Sequence, residues 1–232
     1  TALSEALPVL PPNVAGRVAE ALAETGAALT YVDCNAIAPQ TARAIGQRLA
    51  DAGAAFIDAS IIGGPPRGES RPRMYASGPD TSAMEALNDY GLDVRSIGDE
   101  VGLASAIKMC YASLTKGSTA LFAELMVAAK ALGVHKALIA EFQQSQPQMF
   151  ARIERGLPRV PVKARRFVGE MEEMAKTYEA VGLTPRMLAG AADMYRFIGS
   201  TPLADRTPED TAPFPSLEET LATLVTCLEK AE

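Results

Sequence analysis

The stretch 102–133, GLASAIKMCYASLTKGSTALFAELMVAAKALG, constrains this chain more than any other. Only Lys108, Lys116, Glu124 and Lys130 carry charge in it. Ile107, Tyr111, Leu114, Leu121, Leu125 and Leu132 recur mostly at spacings of three, four and seven, the helical period. Gly133 stands where a left-handed C-terminal cap belongs. A helix of about 30 residues is ~45 Å long, more than one small domain needs. Such a helix joins two domains or forms the axis of a helical one.

The chain reads differently on its two sides. Before it, TYVDCNAI (30–37) and AAFIDASII (54–62) are short apolar runs rich in β-branched residues, hence buried strands. Between them a helix starts at Pro39, and a first helix over 13–26 has Asn13 as its cap and Gly26 as its stop. Strand, helix and strand in about 30 residues form a βαβ unit, which implies parallel strands. RMYASG (73–78) is a third strand. A short helix capped by Asp80 and stopped by Gly91 leads to a fourth over 92–100, at a sheet edge. After Gly133 every segment is helical, and Ser216 with Glu219 forms a capping box for the last helix. The expected fold class is α/β then all-α: a partial Rossmann-type parallel sheet, a long interdomain helix and a helical C-terminal domain. The expected domains are 1–100 and 101–232.

A net charge of −6 over 232 residues argues against nucleic acid or an anionic membrane as the main partner. Cys34, Cys110 and Cys227 are scattered and odd in number. Cys34 and Cys110 read as buried thiols in a reducing compartment. A single histidine, His135, cannot build a histidine-rich metal site, so no metal is expected. No apolar run is long enough to span a bilayer, which makes a cytoplasmic protein the expectation.

Three features carry chemistry. Lys108 lies among Ala104, Ala106, Ile107 and Met109. A lysine in apolar company loses hydration and can serve as a general acid/base, or it can snorkel at a helix end. Gly63 and Gly64 follow the second strand, at the end where ligands of parallel sheets bind; they either expose backbone N–H groups to a ligand or make an ordinary tight turn. Asn35, ending the first strand, either reaches a ligand or caps the helix behind Pro39. Lys116 reads as solvated surface or as a partner for an anionic group.

The order D-x-N-x-x-x-P, then F-I-D-A-S-I-I-G-G, then a long helix opening G-x-x-x-x-x-K resembles the β-hydroxyacid dehydrogenases, relatives of 3-hydroxyisobutyrate and 6-phosphogluconate dehydrogenases. IKMCYASLTKG and RRFVGEMEEMAKTYEAVGLTP look like a phosphogluconate-dehydrogenase-like branch with its own helical C-terminal domain. The resemblance covers roughly residues 15 to 200 and implies an NAD- or NADP-dependent oxidoreductase acting on a hydroxy acid or related CH–OH/carbonyl substrate. It implies Lys108 as the catalytic acid/base, Gly63 and Gly64 as the backbone that holds the substrate carboxylate, and Asn35 with Ala36 beside the nicotinamide. It also implies that 170–176 closes the site, and that a homodimer forms through apolar helical residues such as Leu121, Phe122, Leu125 and Met126. Imine reductases resemble this fold but usually lack the lysine.

The departures are specific. Ile62 replaces the family's serine before the glycine pair, and Ala112 replaces an asparagine one turn after the lysine. Thr115 is the polar residue left to contribute on a similar face. The G-x-G-x-x-G turn that holds a pyrophosphate is absent from this sequence, and Thr1 aligns inside the nucleotide domain. The expectation is therefore a fragment of a longer enzyme. The alternative is a non-catalytic or truncated relative that serves as a dimerising or binding module.

Overall fold

The structure, a computed structural model, describes residues 5–6, 12–26, 29–64, 71–207, 210 and 212–228. In chain order the elements are β1 (Glu5–Ala6), α1 (Pro12–Glu24), β2 (Thr30–Asp33), α2 (Pro39–Asp51), β3 (Ala55–Ile62), β4 (Arg73–Ser77), α3 (Ser82–Glu85), β5 (Asp93–Ser96) and α4 (Leu103–Ala112). A π turn, Ser113–Gly117, leads into α5 (Ser118–Ala131). Then come α6 (His135–Ser145), α7 (Pro147–Gly156), α8 (Pro161–Glu179), α9 (Arg186–Gly199) and α10 (Leu217–Leu228). The chain divides into two compact units. One is Thr1–Ala112 with Glu173–Pro185; the other is Ser113–Glu172 with Arg186–Glu232.

The first unit holds a five-stranded sheet in the order β1-β2-β3-β4-β5. β1, β2 and β3 run parallel, as the βαβ reading requires, and β5 runs parallel to β4 at the edge. One pair departs from a parallel sheet: β4 runs antiparallel to β3. The connection, 63–72, is too short for the crossover that a parallel pair needs, whereas an antiparallel return is within its reach. Side chains alternate between faces along each strand. Tyr31 and Phe56, paired in register and 6.0 Å apart between ring centroids, lie with Ala15, Ala19, Ile45 and Leu49 under α1 and α2. Val32 and Ile57, the next pair, join Met74, Met84 and Val94 in the other cluster. Asn13 is inside α1, which already begins at Pro12, so it is not the cap.

The second unit is helical. Its interior includes Met126, Ile153, Met171, Tyr195, Ile198 and Leu221, each at most 2% exposed. Met126 is thus core rather than free surface, whereas Leu121 on the same helix is 56% exposed. The stretch 102–133 is helical almost throughout and stops at Gly133, whose φ is +76°. The π turn interrupts it, and two carbonyls of that turn accept side-chain donors. Tyr195 Oη donates to Lys116 O at 2.8 Å, and Thr119 Oγ1 donates to Thr115 O at 2.8 Å. The last helix carries the expected capping box: Ser216 N donates to Glu219 Oε2 at 2.7 Å, and Glu219 N to Ser216 Oγ at 3.2 Å. Among the described residues no helix is long and apolar enough to cross a membrane, and no three His, Cys, Asp or Glu side chains group to hold a metal ion.

Candidate active site

The carboxyl ends of β2 and β3 and the first turns of α4 lie in the first unit, and a buried aspartate on β3 ties that strand to β4 and to the start of α4. Asp58 is 1% exposed. Its Oδ2 accepts Gly102 N at 3.0 Å, Ser105 N at 2.9 Å and Ser77 Oγ at 3.1 Å, and its Oδ1 accepts Ser105 Oγ at 2.6 Å. It therefore satisfies the N–H groups that the start of α4 leaves open. Burial pushes the Asp58 carboxyl above the usual carboxylate range, and the bonds from Ser105, Ser77 and Gly102 pull it back.

One turn beyond Ser105, Lys108 donates from Nζ to the carbonyl of Ile61, near the end of β3. β3 thus grips α4 at Asp58 and at Ile61, which places the half-buried Lys108 ammonium beside the turn that follows. In that turn Gly63 and Gly64 are exposed. Gly63 has φ +126°, and a Cβ there would stand 3.2 Å from Pro72 Cα. Only glycine takes that conformation without strain. Pro65 and Pro66 lie outside the described residues. Ile62 turns inward, 4% exposed, and Ala112 is 3% exposed, so neither side chain faces solvent. Thr115 sits inside the π turn of the second unit. There 3.6 residues per turn does not apply, and the spacing from Lys108 has no bearing.

β2 delivers a second set of groups. Asp33 is 1% exposed; its Oδ1 accepts Asn35 N at 2.8 Å. Burial pushes its carboxyl up to about 6; the Asn35 N–H opposes this and the charge of Asp58 adds to it. Cys34 is buried between these groups. Burial and Asp33 push its thiol up to about 12, against a pull from the Lys108 charge. Cys110, by contrast, is exposed, because α4 buries Ala104, Ser105, Met109 and Ala112 and leaves it off that face. Asn35 does not cap α2: the capping position is Ala38, which has no side-chain cap. Instead Ala38 N donates to Glu173 Oε2 at 2.8 Å, and Gln40 Nε2 donates to Lys176 O at 3.0 Å. Part of the 170–176 segment therefore lies on the start of α2, beside Asn35. From Tyr31 to Pro39 only Ala36 is not buried.

Sequence reasoning missed Asp58 and Glu173. The available signal for Asp58 was an acidic residue in the middle of a buried apolar strand, which must find donors or neutralise. Lys116 is not simple surface. It pairs with Glu170 and lies 5.1 Å from the centroid of the Phe167 ring.

A domain of unknown function (DUF1932) matches residues 129–198. A solved conserved protein of unknown function, described as structurally similar to 3-hydroxyacid dehydrogenases, is 30% identical with a TM-score of 0.62. The alignment covers 83% of this chain and 74% of that one. The chain belongs to the 3-hydroxyacid dehydrogenase family. Two curated relatives of this family member are each 28% identical to it. An uncharacterised 28.5 kDa protein of Methanothermus fervidus aligns with 72% of this chain, and the NADH-dependent oxidoreductase ucdB of Aspergillus ustus with 65%. The chain spans 65% and 56% of their respective lengths.

Proposed function

We propose that this 3-hydroxyacid dehydrogenase family member is part of an NAD(P)-dependent oxidoreductase acting on a hydroxy acid or a related CH–OH/carbonyl substrate. The observation that carries the proposal is the seating of Lys108 on the Ile61 carbonyl, next to the exposed Gly63-Gly64 turn. An amine held there stands where a bound substrate oxygen needs a proton donor or acceptor. As the neutral amine Lys108 Nζ takes the hydroxyl proton during oxidation, and as the ammonium it gives the proton back to the oxygen during reduction. The backbone N–H groups of Gly63 and Gly64 take the substrate carboxylate.

The nicotinamide cofactor, when bound, accepts or supplies the hydride. The residues present fit its nicotinamide end. Ala36 is the one opening in an otherwise buried strand end, with Asn35 beside it. They do not fit its pyrophosphate: the N-terminus of α2 already faces the Glu173 carboxylate, and no G-x-G-x-x-G turn occurs in the sequence. The NADH-dependent relative supports the cofactor class. Exposed Leu114, Leu121 and Met187 on the second unit support a homodimer through the helices, which sedimentation tests.

The Lys108→Ala change in the full-length protein is expected to lower turnover by about 10²- to 10⁴-fold while leaving NADH and NADPH affinity in place. Near-normal turnover would refute the assignment. A second reading, a non-catalytic binding module, draws on the buried apolar Ile62 and Ala112 where the family carries serine and asparagine. Saturable micromolar binding of NADH or NADPH defeats that reading.

A further inference from the structure

The arginines of α7, its 3₁₀ continuation, α8 and α9 differ in how they are partnered. Three on α8 and α9 are paired with carboxylates: Arg165 with Asp205, Arg166 with Glu170, and Arg196 with Glu172 and Asp193. Arg152, Arg155 and Arg159 have no carboxylate partner among the described residues. All three line one cavity of about 520 Å³. Their spacing of three and four puts them along one side of α7 and the 3₁₀ turn Leu157–Arg159 that continues it.

Two of the three are braced. Arg155 Nε donates to Ala151 O at 3.1 Å. Arg159 donates from Nη1 to Arg155 O and lies 5.0 Å from the centroid of the Phe214 ring. Bracing leaves other N–H groups of each guanidinium available and removes part of the entropy cost of ordering them on a ligand. No acidic residue lines the cavity; Arg155 and Arg159 also border a neighbouring one, whose lining includes Glu154 and Glu218. Three cations sharing one concavity repel one another until an anion enters. The rest of the lining is apolar where it is deepest: Ile153 and Leu157 are each 2% exposed, and Phe122 is half-buried. The Thr119 hydroxyl gives its proton to Thr115 O, so the arginines supply the donors.

We infer that this cavity is a binding site for a small organic phosphate, separate from the Lys108 site. A phosphate monoester is a dianion with three terminal oxygens, which matches several guanidinium forks as a lone carboxylate does not. Its organic part covers Phe122, Ile153 and Leu157. Free inorganic phosphate shares the charge chemistry but not the apolar contact.

The test is calorimetric titration of the full protein at low ionic strength with phenyl phosphate, inorganic phosphate and benzoate. Phenyl phosphate is expected to saturate one site per chain and to bind more tightly than inorganic phosphate. Benzoate is expected to bind at least about tenfold more weakly. The Arg152→Gln/Arg155→Gln double variant changes two exposed side chains, so its melting temperature should stay unchanged. Its phenyl phosphate affinity should fall by at least about tenfold. Arg48→Gln, an exposed arginine of the other unit, controls for bulk charge and should leave binding intact. No saturable binding to the wild type, equal affinity in the double variant, or an equal loss in Arg48→Gln would each overturn the site. Inorganic phosphate binding as tightly as phenyl phosphate would overturn the organic-phosphate assignment. None of these readouts depends on Lys108.

Discussion

Replacing Asp33 by asparagine should stabilise the protein at neutral pH, and the gain should depend on pH in a defined way. Asp33 is 1% exposed, and its Oδ2 has no hydrogen-bond partner among the described residues. Burial is the main reason its carboxyl moves from 3.8 to about 6 in the folded chain. A carboxyl whose folded value is raised binds its proton better when native. Its favourable contribution is full below pH 3.8 and is lost as pH rises through about 6. Relative to a group neutral at every pH, the ionising aspartate costs about 1 kcal/mol at pH 4.5, about 2 kcal/mol at pH 5.5 and about 3 kcal/mol at pH 7. Asparagine keeps a carbonyl for the Asn35 N–H and carries no charge. Urea denaturation of wild type and Asp33→Asn at these three pH values should give a stability gain that grows with pH, towards ~3 kcal/mol at pH 7. A gain independent of pH, or a loss at pH 7, would refute the reasoning.

Asp58→Ala leaves Gly102 N, Ser105 N and two hydroxyls without an acceptor, so a loss of ~3–4 kcal/mol is expected in the same denaturation assay. Asp58→Asn, which keeps an oxygen for the α4 N-terminus, should cost about 1 kcal/mol, and equal losses for the two variants would contradict the capping role. Gly63→Ala meets both a φ of +126° and a 3.2 Å approach to Pro72 Cα. Its melting temperature should fall by an amount corresponding to about 2 kcal/mol. Ser216→Ala removes the capping box of α10 and should cost about 1 kcal/mol, visible as a small drop in the denaturation midpoint.

What the sequence determined by itself is whatever acts within a turn or two of the chain. Pro39 starts α2, Gly133 ends α5 through its positive φ, and Ser216 with Glu219 caps α10, because each works on backbone groups three or four residues away. The short apolar runs of β2 and β3 with a helix between them imply their parallel pairing, because a βαβ unit brings its two strands side by side. The order of weak motifs was enough to single out Lys108 and the Gly63-Gly64 turn. The tertiary structure alone decided the rest. Glu173 reaches Ala38 N across 135 positions, and Asp58 reaches Gly102 N across 44 and Ser105 across 47. Nothing near either carboxylate in the sequence names its donors. The antiparallel β4, the bond from Tyr195 to the π turn, the burial of Met126 and the exposure of Cys110 have the same origin. An apolar or polar side chain constrains its own segment, but its environment is set by elements the chain brings against it from far away.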